Sequence, residues 1–73
     1  MNDERFLTVR EWGNKFCIYD RDLNIRRSID EGEDKAREIT EKLNTSDEFD
    51  LTTRSNVISV IDMLRRSNEN GER

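Results

Sequence analysis

The chain has no histidine, no proline, one cysteine and three glycines, and each scarcity removes a class of function. Without histidine there is no Ser-His-Asp or Cys-His nucleophile pair, and with Cys17 as the sole soft ligand there is neither a zinc finger nor a CxxC redox couple. Gly13, Gly32 and Gly71 stand apart, so no phosphate loop or dinucleotide fingerprint can be written. The longest apolar stretch runs from Phe16 to Tyr19. That is far short of the roughly 20 residues that span a bilayer or the about 7 to 15 of a signal-peptide core. A single cysteine forbids an internal disulfide. The expectation is a soluble, non-enzymatic, cytoplasmic protein with no cofactor, no metal and no membrane among its partners.

What is present is charge. The 73 residues carry 13 Lys and Arg against 17 Asp and Glu, a net charge of −4. Residues 1–29 hold six basic and five acidic side chains, residues 30–50 three and nine, and residues 51–73 four and three. The acidic surplus belongs to one segment, and acids arrayed on one face can imitate a phosphate track in a basic groove. Apolar residues are few, at 32%, and a chain this short buries only about 60% of its unfolded surface. Such proteins often add a second subunit, so a homodimer belongs among the expected partners.

Phe6 to Trp12 alternates in side-chain character, Gly13 and Asn14 follow, and Lys15 to Asp20 is the next such run. Glycine takes the positive φ that a type II′ turn requires at its first central position, which predicts a hairpin. With Trp12 and Lys15 flanking the turn, Val9 faces Ile18, Glu11 faces Phe16 and Thr8 faces Tyr19. One sheet face then carries Leu7, Val9, Phe16 and Ile18; the other carries Phe6, Arg10, Trp12, Lys15, Cys17 and Tyr19. The turn formers of 21–24 and the alternation of Ile25 to Ile29 predict a third antiparallel strand.

Ala36, Ile39 and Leu43 recur at offsets of three and four, predicting a helix over 30–44. Asp30 and Glu33 have capping-box spacing, and Asn44 suits a left-handed C-terminal position. Residues 45–50 read as a polar loop. From Thr52 or Thr53 as N-cap, Val57, Ile58, Val60, Ile61 and Leu64 form a wide apolar stripe that predicts a second helix over 53–67, with Arg65 and Arg66 complementing its dipole. The β-branched run 57–61 also fits a strand, but the stripe continues to Leu64, which favours the helix. The result is an α+β domain over residues 1–67, a three-stranded antiparallel sheet with two helices in order β-β-β-α-α, and a polar tail over 68–73.

Asp20-x-Asp22-x-Asn24, with Glu31 eleven residues after Asp20, copies the oxygen-ligand spacing of a calcium EF-hand loop. Ile25 stands where that loop needs glycine and Arg27 where it needs an apolar residue, so a polar turn followed by a helix cap is the better reading. Glu31, Glu33, Asp34, Glu38 and Glu41 offer paired carboxylates, yet one exposed helix gives no dry, concave wall to separate two pKa values. Asp34, Glu38 and Glu41 share the side of the helix away from its apolar stripe. They form a candidate contact for a protein with a basic, nucleic-acid-binding groove. Arg10, Trp12 and Tyr19 form the other candidate contact, because basic side chains interleaved with aromatics have the composition of a base-stacking platform. The second helix laid over that face would instead leave the aromatics at its rim. Nucleic acid is the lesser partner, since an acidic chain gains little from neutralising phosphates. Cys17 reads as a small buried hydrophobe rather than a reactive thiol.

Arg10-Glu-Trp-Gly-Asn-Lys-Phe-Cys-Ile-Tyr-Asp20, the short polar turn after it, and Asp34-Lys-Ala-Arg-Glu-Ile-Thr-Glu-Lys-Leu-Asn44 together resemble small acidic proteins encoded by phages and other mobile elements. The resemblance covers about half of the chain and carries no catalytic signature. It implies an accessory role of the anti-restriction or anti-CRISPR kind, in which the protein binds and blocks a host nucleic-acid machine in the host cytoplasm. Residues 45–73 lie outside it.

Overall fold

The computed structural model describes residues 4–66. Strands β1 (Phe6–Trp12), β2 (Lys15–Asp20) and β3 (Ile25–Ile29) precede helices α1 (Glu33–Thr45) and α2 (Arg54–Arg66). The sheet is antiparallel in order β1-β2-β3, so the α+β architecture is the one the sequence pattern predicts. The tail at 68–73, and Ser67 before it, lie outside the described residues.

Gly13 takes φ 56° in the first turn, as the hairpin requires. Asn24 takes φ 56° in the second, a left-handed position that asparagine tolerates better than most residues. Trp12 pairs with Lys15, but a bulge at Glu11 adds one residue to β1. Beyond it Arg10 pairs with Phe16, Val9 with Cys17, Thr8 with Ile18, Leu7 with Tyr19 and Phe6 with Asp20. A one-residue slip exchanges the faces of a strand. The expected facing of Val9 with Ile18, Glu11 with Phe16 and Thr8 with Tyr19 is therefore replaced. Phe6 is buried, at 1% exposure, with Phe16 and Ile18, while Leu7 and Val9 turn to the opposite face. Arg10 moves to the core side of the strand, away from the face of Tyr19, and is exposed there.

The slip gathers the large apolar residues of the sheet, Phe6, Phe16, Ile18, Ile25 and Ile29, on one side. Both helices pack there: Ala36, Ile39 and Leu43 of α1 and Val57, Ile61 and Leu64 of α2 complete a single core. The arrangement with α2 over the Trp12 and Tyr19 face is not adopted, because that face has lost Phe6 and with it its largest core-forming side chain. The connecting loop is less polar in effect than it reads, since Phe49 and Leu51 pack against the core from its edge.

The helix ends differ from expectation in three places. The N-cap of α1 is Gly32 at φ 100°, with no side-chain cap bond, so the Asp30–Glu33 capping box does not form. Glu31 is engaged instead by Arg65 of α2, whose Nε and Nη2 donate to its carboxylate at 3.1 Å. Asn44 lies inside α1, and its side chain reaches β1. Arg65 thus bridges the start of α1 and α2 rather than only facing a helix dipole. α2 begins as predicted: the Asn56 N–H donates to Thr53 Oγ1 at 3.2 Å, and residues 57–61 are helical.

Ile18 and Ile39 are 0% and 1% exposed, on opposite sides of the core. Truncating either to alanine is expected to cost about 2 to 5 kcal/mol, a large part of the margin of so small a domain. Urea denaturation of Ile18→Ala and Ile39→Ala measures it. A loss below about 1 kcal/mol would contradict the packing described.

Candidate binding surfaces

The residues that copied a calcium loop form a different device. Asp20 continues the inward alternation of Phe16 and Ile18 and is 1% exposed. Its carboxylate accepts Nε and Nη2 of Arg5 at 2.8 and 2.9 Å. It also accepts the N–H groups of Asp22 at 2.9 Å and Leu23 at 3.4 Å, so its lone pairs are directed at protein donors. Asp22 is largely exposed, and Asn24 Oδ1 accepts the Tyr19 hydroxyl at 3.2 Å. Among the described residues no three potential ligands gather as a cation site. Arg5 also donates to the Leu51 carbonyl at 2.7 Å, and its guanidinium lies 4.9 Å from the Phe6 ring centroid. Its hydrogen bond to Asp20 raises the Arg5 pKa above its ordinary value.

Apart from Asp47 and Glu48 in the loop after α1, the acids of 30–50 divide into two groups. Some are engaged in structure: Asp30 and Glu31 face Arg65, Glu33 accepts Arg37 at 2.6 Å, and Asp50 accepts the Thr52 N–H and hydroxyl. Those Thr52 bonds lower the Asp50 pKa. The others form a display. Asp34, Glu38 and Glu41 lie on the side of α1 away from Ala36, Ile39 and Leu43, with Asp34 and Glu41 exposed and Glu38 partly so. Lys35 Nζ comes within 4.0 Å of Glu38.

The second surface is the sheet face that the helices leave uncovered. It carries Leu7, Val9, Cys17 and Tyr19, together with Arg26 and Ser28 of β3. Trp12, at the hairpin end, is 72% exposed. Arg26 lies over the Tyr19 ring at 5.1 Å from its centroid, so one ring face is already occupied. Cys17 is buried between Val9 and Ser28, and Glu11 spans above it to accept the Ser28 hydroxyl at 3.0 Å. Burial, then the Glu11 carboxylate, pushes the thiol pKa up, with Arg26 opposing.

The six residues singled out from sequence therefore do not form one site. Asp34, Glu38 and Glu41 share a helix face, Trp12 and Tyr19 belong to the uncovered side of the sheet, and Arg10 has been turned from that side by the bulge. Sequence reasoning missed the roles of Arg5, Asn44 and Glu11. For Arg5 a signal existed: an aspartate in phase with two core residues demands a cationic or donor-rich partner. No protein-family model, curated protein or solved structure matches the chain.

Removing the Asp20 carboxylate leaves the Arg5 charge and two main-chain donors without their acceptor. Asp20→Ala is expected to cost about 3 kcal/mol, and Asp22→Ala, at an exposed site, about 0.5 kcal/mol or less. Urea denaturation of the pair compares them, and equal losses would contradict the assigned roles. Cys17 supplies a pH test. A raised thiol pKa means less thiolate at neutral pH, so alkylation by iodoacetamide is expected to be slow in the folded protein, to rise only above the usual thiol range, and to accelerate in urea. A native rate matching the unfolded one would show that the thiol is not shielded.

Proposed function

We propose that the chain is a non-enzymatic protein-binding module that works in a reducing cytoplasm as an inhibitor of a nucleic-acid-handling or host-defence protein, of the kind phages carry. The observation that supports this reading is the division of the acidic segment. Asp30, Glu31, Glu33 and Asp50 have internal partners, whereas Asp34 and Glu41, with Glu38 at 4.0 Å from Lys35, are displayed together on the outward side of α1. A rigid helix holding three carboxylates on one face matches a basic groove without the ordering cost of a flexible acidic tail.

A second reading has its own observation. The uncovered sheet face presents Trp12 at 72% exposure at its hairpin end and the Tyr19–Arg26 stack toward the other end of β2. Aromatic and basic side chains on an open sheet can bind single-stranded nucleic acid. With Tyr19 partly covered and the protein acidic overall, this surface is the weaker of the two for that purpose.

Replacing Asp34, Glu38 and Glu41 together by lysine is expected to leave circular dichroism unchanged and to weaken partner binding about tenfold or more, chiefly through slower association. Calorimetry against a partner isolated from nuclease-treated lysate measures it. Unchanged affinity in the folded variant would return these acids to the role of a solvated helix face. In parallel, a labelled single-stranded oligonucleotide is expected not to bind at physiological salt. Micromolar binding abolished by Trp12→Ala would replace the first reading with the second.

A further inference from the structure

The first strand of the sheet is an edge, and its main-chain groups are only partly occupied. The Arg21 N–H donates to the Arg5 carbonyl at 2.9 Å, and the next residue, Phe6, turns both of its main-chain groups away from β2. The Phe6 N–H donates to Asn44 Oδ1 and its carbonyl accepts from Asn44 Nδ2, both at 2.9 Å. The side-chain amide thus makes the two bonds that a residue of a neighbouring antiparallel strand would make. Main-chain direction alternates along such a strand, so Leu7 and Val9 bond to β2 while Thr8 and Arg10 point outward like Phe6. Among the described residues nothing bonds to the outward N–H or C=O of Thr8 or Arg10. The Thr8 side chain is turned inward, its hydroxyl 2.7 Å from that of Thr40.

Among the described residues nothing covers this edge. A groove of about 520 Å³ runs beside its first half, as far as Thr8, with Glu4 and Thr8 on one wall and Arg37, Thr40 and Glu41 of α1 on the other. Arg37 is held by Glu33, so among the described residues Glu4 and Glu41 are the wall charges that no ion pair engages. On the other side of the strand Leu7 and Val9 are half-buried apolar residues. We propose that the β1 edge is a strand-addition site for an extended segment of another protein, with a basic side chain opposite Thr8 turned into the Glu4–Glu41 groove, an acidic one opposite the exposed Arg10, and β-branched apolar side chains laid beside Leu7 and Val9. Main-chain pairing at Thr8 and Arg10 supplies the affinity, and the groove supplies the choice of sequence. Asn44 sets the register, because it already fills the Phe6 position and limits the addition to the residues beyond it. The proposal rests on the reading of the chain as a protein-binding module and adds a contact that adjoins the outward face of α1 and shares Glu41 with it.

The test uses the full chain labelled with 15N and the probe peptide acetyl-Val-Glu-Val-Lys-Val-amide, which in antiparallel register sets Glu opposite Arg10 and Lys opposite Thr8, followed by amide hydrogen exchange. In the free protein the Leu7 and Val9 amides are expected to be protected and those of Thr8 and Arg10 to exchange quickly. Addition of the peptide is expected to slow Thr8 and Arg10 about tenfold or more. Main-chain N-methylation of the glutamate and the lysine, which blocks the N–H groups facing β1, is expected to abolish the effect, and N-methylation of the valines to preserve it. Arg10→Pro removes one outward donor without touching the ladder to β2, and is expected to lose the binding while keeping the circular dichroism spectrum. The reverse dependence on N-methylation would overturn the placement of the charged side chains. No slowing at millimolar peptide would overturn the site itself. Slowing that depends on protein concentration without peptide would give the edge to a second copy and overturn the proposed occupant. None of these outcomes depends on the lysine variant of Asp34, Glu38 and Glu41, so failure here and failure of the helix-face reading are distinguishable.

Discussion

The pairing of Asp20 with Arg5 is the constraint to which the rest of the fold is tied. A carboxylate at 1% exposure is tolerable only when every lone pair meets a donor, and the donors come from separate parts of the chain. Arg5 fixes the start of β1 against the end of β2. The N–H groups of Asp22 and Leu23 shape the turn into β3. The second N–H of Arg5 Nη2 holds the Leu51 carbonyl, which ties down the loop between the helices. In a chain with no disulfide and a small core, one polar node joins three connections that apolar packing alone would leave loose.

A second polar network closes the opposite side. Arg27 of β3 takes Asp62 of α2 in a two-point pair at 3.1 and 2.7 Å, and Arg65 spans Glu31, Asp30 and Asp62. These groups are partly exposed, so each pair contributes little alone. Their value lies in specifying where α2 sits, on the same side of the sheet as α1. With both helices on that side, the other side of the sheet is left for Trp12, Tyr19 and Arg26, and the outward face of α1 for Asp34, Glu38 and Glu41. The surfaces available for partners follow from where the structural charges are used.

Much of the architecture was legible in the residues. The alternating runs, Gly13, the turn formers before Ile25 and the stripes of Ala36–Leu43 and Val57–Leu64 led to the five elements in their observed order. Three features escaped, each for a physical reason. Glu11 carries no local mark of being an extra residue, because a bulge is settled by which side chains the finished core accepts. With it went the facing of Phe6, Leu7, Val9 and Arg10. Asp20 resembled a metal ligand because its true partner, Arg5, is distant in sequence. Asn44 fitted a helix terminus by propensity, but its pairing with Phe6 exists only after the helix has docked on the sheet. Local chemistry defined the elements, and long-range chemistry chose their faces. The acidic helix face was readable from helical geometry alone, whereas the free edge of β1 depends on main-chain direction, which sequence does not display.

The amide of Asn44 has a consequence for the chemical lifetime of the molecule. It presents one oxygen to the Phe6 N–H and one nitrogen to the Phe6 carbonyl, so the two ends of the side chain are not interchangeable. Aspartate has almost the same shape but offers no donor when ionised, and would set oxygen against oxygen at the carbonyl. Spontaneous deamidation, which makes that single-atom exchange, would turn a matched pair into a repulsive one. The usual route requires the nitrogen of the next residue to swing onto the side-chain carbon. Here that residue is Thr45, the last of α1, and its helical conformation resists the movement. The helix that presents the amide also guards it, so the age at which this end of the sheet loosens is set by how long the final turn of α1 stays wound.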